Sequence, residues 1–205
     1  MHSKLFSLEC ILYDMKKFIA IIILCSINSF GQTLKSKKID FDTVSTFSDL
    51  KDSTTYEIDK NTLLNLISKN KKKYTLVVSY GFWCKPCNEY LPKLLNFINE
   101  NKEQVELVLI NIEPDDSKRL YLNYYYLLKR FNYTKPIFMI SETYSTKKWK
   151  KYDSFLIDLI SKDVFNKTMG GMSQHILYES NKIVYLSNYN LTDDIILSNL
   201  NNIIK

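Results

Sequence analysis

The chain is poor in the residues that break or staple a polypeptide. Its 205 residues include only 4 Gly, 4 Pro, 4 Cys and 2 His. No Pro- or Gly-rich linker and no internal repeat divides it, so the length fits one domain with an export segment rather than two full domains. Cysteine is too sparse for a secreted fold held by several disulfides, which shows many cysteines at wide separations. No second Cys-x-x-Cys accompanies the first, so a four-thiolate zinc site is excluded. Charge of one sign is also modest. The formal net charge is +6, and +5 once the first 31 residues are set aside. An excess of that size, spread along the chain, favours solubility and argues against a nucleic-acid partner. The longest apolar run, near the N-terminus, falls short of the roughly 20 residues of a membrane span. Apolar residues are nonetheless plentiful, 45% hydrophobic and 14% aromatic, enough to bury a proper core.

The N-terminal region carries the pattern of an export signal. Lys16 and Lys17 precede the run Phe18 to Cys25, and small residues follow at Ser29 and Gly31. A basic start, a short apolar run and a small-residue end predict cleavage before Gln32, with residues 1–31 as signal peptide. Met15 stands directly before the lysines, which makes residues 1–14 an upstream extension of a second possible start. An uncleaved N-terminal anchor is the alternative. A lipidated Cys25 fits poorly, because Ile23 and Leu24 stand where small residues should precede it. With Cys10 and Cys25 removed, the exported chain keeps Cys84 and Cys87 alone. Residues 32–54, rich in Lys, Ser, Thr and Asp, read as a solvated leader, and residues 55–205 as the folded domain.

Within that domain, strands and helices alternate. Thr55 to Ile58 reads as an edge strand, and a helix from Asn61 is expected to end at Lys71–Lys73, where cations suit the negative helix terminus. Tyr74 to Tyr80 is a β-branched and aromatic run typical of a buried strand. Beyond it Tyr90, Leu91, Leu94, Leu95 and Ile98 recur at helical spacing, placing Pro86 in the first turn, where its missing amide costs nothing. Val105–Ile112 is a second buried strand. Asp115 or Asp116 caps a helix with Leu120, Tyr124, Leu127, Leu128 and Phe131 on one face. Ile137–Ser141 is a third strand, followed by a helix carrying Tyr152, Phe155, Leu156, Leu159 and Ile160. Gly170 and Gly171 mark a turn before a hairpin, His175–Tyr178 and Ile183–Ser187, and a helix begins at Thr192 or Asp193. The order implies a three-layer α/β/α sandwich with a central mixed sheet.

Cys84-Lys85-Pro86-Cys87 sits at the junction of the buried strand and its helix. Unpaired amides and the dipole at a helix N-terminus stabilise an anion and lower the Cys84 thiol pKa, and Lys85 pushes the same way. The thiolate is the nucleophile toward a disulfide. Cys87, three residues on, faces the same side and can resolve the mixed disulfide. Trp83 is expected to pack beside the pair and shield it. His175 reads first as a half-buried strand histidine, second as a proton donor or metal ligand. Lys147, Lys148, Lys150 and Lys151 around Trp149 read first as a solvated helix start, second as a dock for an acidic partner.

Phe82-Trp83-Cys84-Lys85-Pro86-Cys87 after Leu76-Val77-Val78-Ser79-Tyr80 resembles the active-site segment of thioredoxin-fold proteins, most of all the exported redoxin-like thiol–disulfide oxidoreductases of the cytochrome-maturation type. The extra strand and helix between Phe131 and Gly170, before the final hairpin, match that branch. The resemblance implies Cys84 as attacking and Cys87 as resolving thiol of a redox-active disulfide, with Trp83, Lys85 and Pro86 in support. It also implies a cis-proline facing the cysteines. Ser173 occupies that position in one alignment and Pro136 in another. A buried acid on the strand is replaced by Val78. No cofactor is expected. The partners implied are protein disulfides or dithiols and an upstream electron donor or acceptor, met by a monomer with no stable membrane insertion once the signal is removed, outside the cytoplasm. The alternative is a periplasmic copper-binding or delivery module using the same two thiols. A peroxidase of this fold would use a single cysteine preceded by Thr-x-x, which is absent here.

Overall fold

Tyr74–Tyr80 is buried at every position, as a strand covered on both faces must be, and the rest of the sheet grows outward from it. The computed structural model describes residues 36–113, 117–168, 173–188 and 190–205. The expected signal segment, the caps Asp115 and Asp116, and Gly170–Gly171 lie outside these residues.

In chain order the elements are β1 Thr55–Ile58, α1 Lys60–Ser68, β2 Tyr74–Tyr80, α2 Lys85–Glu100, β3 Val105–Asn111, α3 Ser117–Phe131, β4 Ile137–Ile140, α4 Lys148–Ile160, α5 Lys162–Thr168, β5 His175–Glu179, β6 Lys182–Leu186 and α6 Asp193–Ile204. The six strands form one sheet in the order β1-β4-β3-β2-β5-β6. The first four run parallel, while β5 and β6 are antiparallel to their neighbours. The sheet is therefore mixed, with helices on both faces.

Side chains alternate across each strand, so the two faces build separate cores. Val77, Val108, Ile110 and Phe138 meet α1 and α4 through Leu63, Leu66, Tyr152 and Phe155. Leu76, Val78, Leu109 and Leu177 meet α2, α3 and α6 through Leu91, Leu94, Leu127, Ile196 and Leu200. Cys84 and Cys87 belong to this second layer.

Three expectations change. The stretch expected as a solvated leader packs into the core: Val44, Phe47 and Leu50 are buried around a short 3-10 turn, Phe47–Asp49. Three apolar residues at a spacing of three, set among Ser, Thr and Asp, are too few to announce a buried element. The lysine run does not close α1, which already ends at Ser68. Lys72 instead pairs with Glu106 at 2.6 Å and Lys73 with Glu179 at 3.5 Å, at the start of β2. The segment after β4 holds a second helix, α5, separated from α4 by Ser161 in the left-handed region at φ 74°.

Candidate active site

All parallel strands end on the same edge of the sheet, and β2 delivers the chain to α2 there. The loop between them is tied at three points. The Cys84 amide donates to the Gly81 carbonyl at 3.0 Å. Asn88 Nδ2 donates to the Phe82 carbonyl at 2.6 Å, and Tyr80 Oη donates to Asn88 Oδ1 at 2.7 Å. The cysteines are thus set by hydrogen bonds on both sides of the turn.

Cys84 is the N-cap of α2, with Lys85 and Pro86 opening its first turn. Its sulfur accepts the Cys87 amide at 3.2 Å, one of the N-terminal donors that a helix leaves without a backbone partner. Cys84 and Cys87 are joined as a disulfide. Both cysteines are largely covered, Cys84 8% exposed and Cys87 3%. What separates the two is position. Cys84 lines an open cleft of about 490 Å³ together with Trp83, Pro86, Ser173, Gln174 and Asp193, whereas Cys87 does not reach it.

Trp83 lines the same cleft as Cys84. It is 41% exposed, and its indole lies against Gly81, where an added Cβ would stand 3.2 Å from Cε2 and Nε1. Gly81 permits that approach. The outer side of the ring meets Trp149 edge-on, with centroids 5.9 Å apart at 84°, and the Lys148 ammonium at 3.7 Å. Lys148 also pairs at 3.5 Å with Glu113, whose side chain is wholly buried. Trp149 and Lys148 both come from the start of α4, so the insertion shapes the cysteine site directly. Lys85 also lines the cleft, but it is 86% exposed and pairs with Glu89 at 3.7 Å, so its charge is screened.

Ser173 lies at the cleft. Pro136 does not: it precedes β4, whose first residue Ile137 is level with Leu109 and thus with Val78, well below the cysteine edge. The Ser173 loop is held through its neighbour. Gln174 and Ser79 exchange hydrogen bonds, Gln174 N to Ser79 Oγ at 3.0 Å and Ser79 N to the Gln174 carbonyl at 3.1 Å. Ser79 Oγ also meets Tyr152 Oη of α4 at 2.8 Å, and Ser187 Oγ donates to Gln174 Oε1 at 3.2 Å. None of these polar side chains stands out in sequence, because each looks like an ordinary strand or helix residue.

His175 is fully buried rather than half-buried, edge-on to Tyr90 with centroids 4.9 Å apart. Burial pushes its pKa down to about 3, and the nearby Ser173 backbone opposes this only weakly. Neither ring nitrogen reaches a well-formed hydrogen bond with a described residue. Tyr90 itself is pushed well above the usual phenol range by burial. Among the described residues, no group of three or more His, Cys, Asp or Glu side chains is placed to hold a metal ion.

No protein-family model and no curated protein matches the sequence. Several solved structures are similar to it. The thioredoxin domain of a thiol-disulfide oxidoreductase from Bacteroides vulgatus aligns with TM-score 0.44 and 16% identity, over 66% of this chain and 81% of that one. A thiol-disulfide oxidoreductase from Bacteroides fragilis gives 0.42 and 16%, over 64% and 81%. StoA from Bacillus subtilis gives 0.40 and 17%, over 63% and 83%. The sheet order, with helices on both faces, agrees with the three-layer α/β/α sandwich that the sequence implies. Within it, β4 and α4 form an extra unit that enters the sheet between β1 and β3.

Proposed function

We propose that this chain is an exported thiol–disulfide oxidoreductase that exchanges or reduces protein disulfides through Cys84 and Cys87. One observation carries the reading: Cys84 caps α2 at the mouth of an open cleft, with the Cys87 amide on its sulfur. An amide and a helix N-terminus aimed at one sulfur favour its thiolate.

The reaction follows from that placement. In the reduced pair, the Cys84 thiolate attacks one sulfur of a partner disulfide. That disulfide breaks, and its other sulfur leaves as a thiolate that takes a proton from water. Cys87 then loses its proton and attacks Cys84 Sγ. The Cys84–Cys87 bond forms, the second partner sulfur is released as a thiolate, and two electrons have passed to the partner. Run in reverse, the same steps oxidise a dithiol. Export is supported by the Lys16-Lys17, apolar, small-residue order of residues 16–31. Among the described residues, no helix is long and apolar enough to cross a membrane.

The test is an insulin-reduction assay beside a measurement of the pair's reduction potential against glutathione buffers. Turnover that vanishes in Cys84→Ser supports the proposal, and the potential fixes the favoured direction. Wild-type protein inert toward every disulfide offered, yet binding copper or zinc stoichiometrically, would replace it with the metal-carrier alternative.

A further inference from the structure

The start of α4 works against its own helix. Lys147 is the N-cap and Lys148, Lys150 and Lys151 fill the first turn, with no acidic residue among them. Four cations thus crowd the positive end of the helix dipole, where anions are favoured. The fold compensates one of them, Lys148, which stacks on Trp83 and pairs with Glu113, while Lys151 is buried and so withdrawn from the surface. Lys147 and Lys150 are exposed, and neither enters an ion pair among the described residues.

Between these two lysines in the chain stands Trp149, half-exposed at 50% and edge-on to Trp83. Phe82, Trp83, Lys148 and Trp149 line an open notch of about 350 Å³. Trp83 is also a wall of the Cys84 cleft, so notch and cleft share one indole. The cleft itself carries one charge of each sign, Lys85 and Asp193. The notch beside it is basic and aromatic, with Lys147 and Lys150 exposed on either side of Trp149. A chain lying across it has a preferred charge pattern.

We propose that the notch and its lysines dock an acidic stretch of the disulfide-bearing polypeptide, next to the cysteine that Cys84 attacks. This rests on the oxidoreductase reading and names its substrate class: polypeptides whose reactive cysteine is flanked by Asp or Glu. Two exposed cations supply the charge complement, and the perpendicular indoles supply apolar contact for the backbone between.

The experiment uses two peptide disulfides identical except for aspartates or lysines beside the cysteine, together with the neutral hydroxyethyl disulfide, too small to span both sites. Wild type should turn over the aspartate peptide faster than the lysine peptide. The double variant Lys147→Glu/Lys150→Glu should lose roughly tenfold in kcat/KM for the aspartate peptide at low salt, less as salt rises, and gain on the lysine peptide. Hydroxyethyl disulfide turnover should not change. Trp149→Ala should weaken both peptides alike, because it removes apolar contact and no charge. Equal treatment of the two peptides by wild type, or of either by the double variant, overturns the proposal. Should wild type exchange no disulfide at all, the oxidoreductase reading fails, and binding of a cysteine-free aspartate peptide, followed by tryptophan fluorescence, still decides the docking surface. Binding lost in the double variant supports it, and unchanged binding overturns it.

Discussion

His175 stands directly opposite Val78 across the antiparallel β2–β5 pair, and its ring meets Tyr90, which follows Cys87 by three residues on α2. Directly paired residues share a sheet face, so the imidazole lies in the same layer as the cysteines. The position where the resemblance leads one to expect a buried acid is thus apolar, with a neutral base beside it.

The first prediction concerns that histidine. Its folded pKa of about 3 lies below the ordinary value of 6.5, so between these two the unfolded chain binds the extra proton. Stability is therefore intact above pH 6.5 and is lost as pH falls toward 3, by at most about 1.4 kcal/mol per pH unit from this one group. His175→Phe keeps a ring against Tyr90 and cannot titrate. Urea unfolding from pH 7 to 4 should show a shallower decline in the variant than in wild type. Parallel declines would mean that His175 is protonated in the fold.

A second prediction assigns roles to the cysteines. Cys84 reaches the cleft and Cys87 does not, so only Cys84 can meet a partner's disulfide. Cys87→Ser should accumulate mixed disulfides that appear on non-reducing gels and disappear with dithiothreitol. Cys84→Ser should accumulate almost none. Faster alkylation of Cys87 than of Cys84 in the reduced protein would reverse the assignment.

The third prediction tests what fixes Trp83. A methyl group at Gly81 would press on the indole at 3.2 Å, and the ring cannot simply retreat, because Lys148 and Trp149 occupy its other side. Gly81→Ala should cost about 1 to 3 kcal/mol in thermal or urea unfolding. It should also red-shift tryptophan emission as Trp83 is pushed into water. Added to Trp149→Ala, which clears space for the ring, the same change should cost measurably less. Equal cost in both backgrounds would show that Trp149 does not confine the indole.

Much of this architecture is legible in the residues. Tyr74–Tyr80, Ile137–Ile140 and the α2 periodicity of Tyr90, Leu91 and Leu94 announce buried elements, because covered strands and amphipathic helices leave apolar patterns. Cys84 and Cys87 are legible because two thiols so close together have a chemical use and little structural one. The surroundings of the pair are not. Lys148 and Trp149 reach Trp83 from 65 and 66 residues away in the chain, and no local pattern encodes such a meeting. The Ser79–Gln174–Tyr152 bonds are hidden for the same reason. Val44, Phe47 and Leu50 are not legible because three apolar residues around one short turn make too brief a pattern among polar neighbours.

The last prediction concerns Ser173, which lines the cleft where the resemblance implies a proline. Proline can replace a residue at little cost when the lost amide was unused and the backbone tolerates the ring. The bonds that hold this loop run through Gln174, Ser79 and Ser187, and none of them uses the Ser173 amide. Ser173→Pro should therefore leave urea stability within about 1 kcal/mol of wild type. The ring would stiffen the cleft wall opposite Cys84 while the Gln174–Ser79 anchor stays in place. Peptide disulfide exchange should be kept or raised, and any affinity of the reduced thiols for copper or zinc should fall as the space beside them closes. Pro136→Ala serves as the control, since it lies away from the cleft and should leave both readouts untouched. Loss of exchange in Ser173→Pro with stability unchanged would show that substrate needs the serine itself at the cleft wall. An effect from Pro136→Ala instead would move the substrate groove to the start of β4.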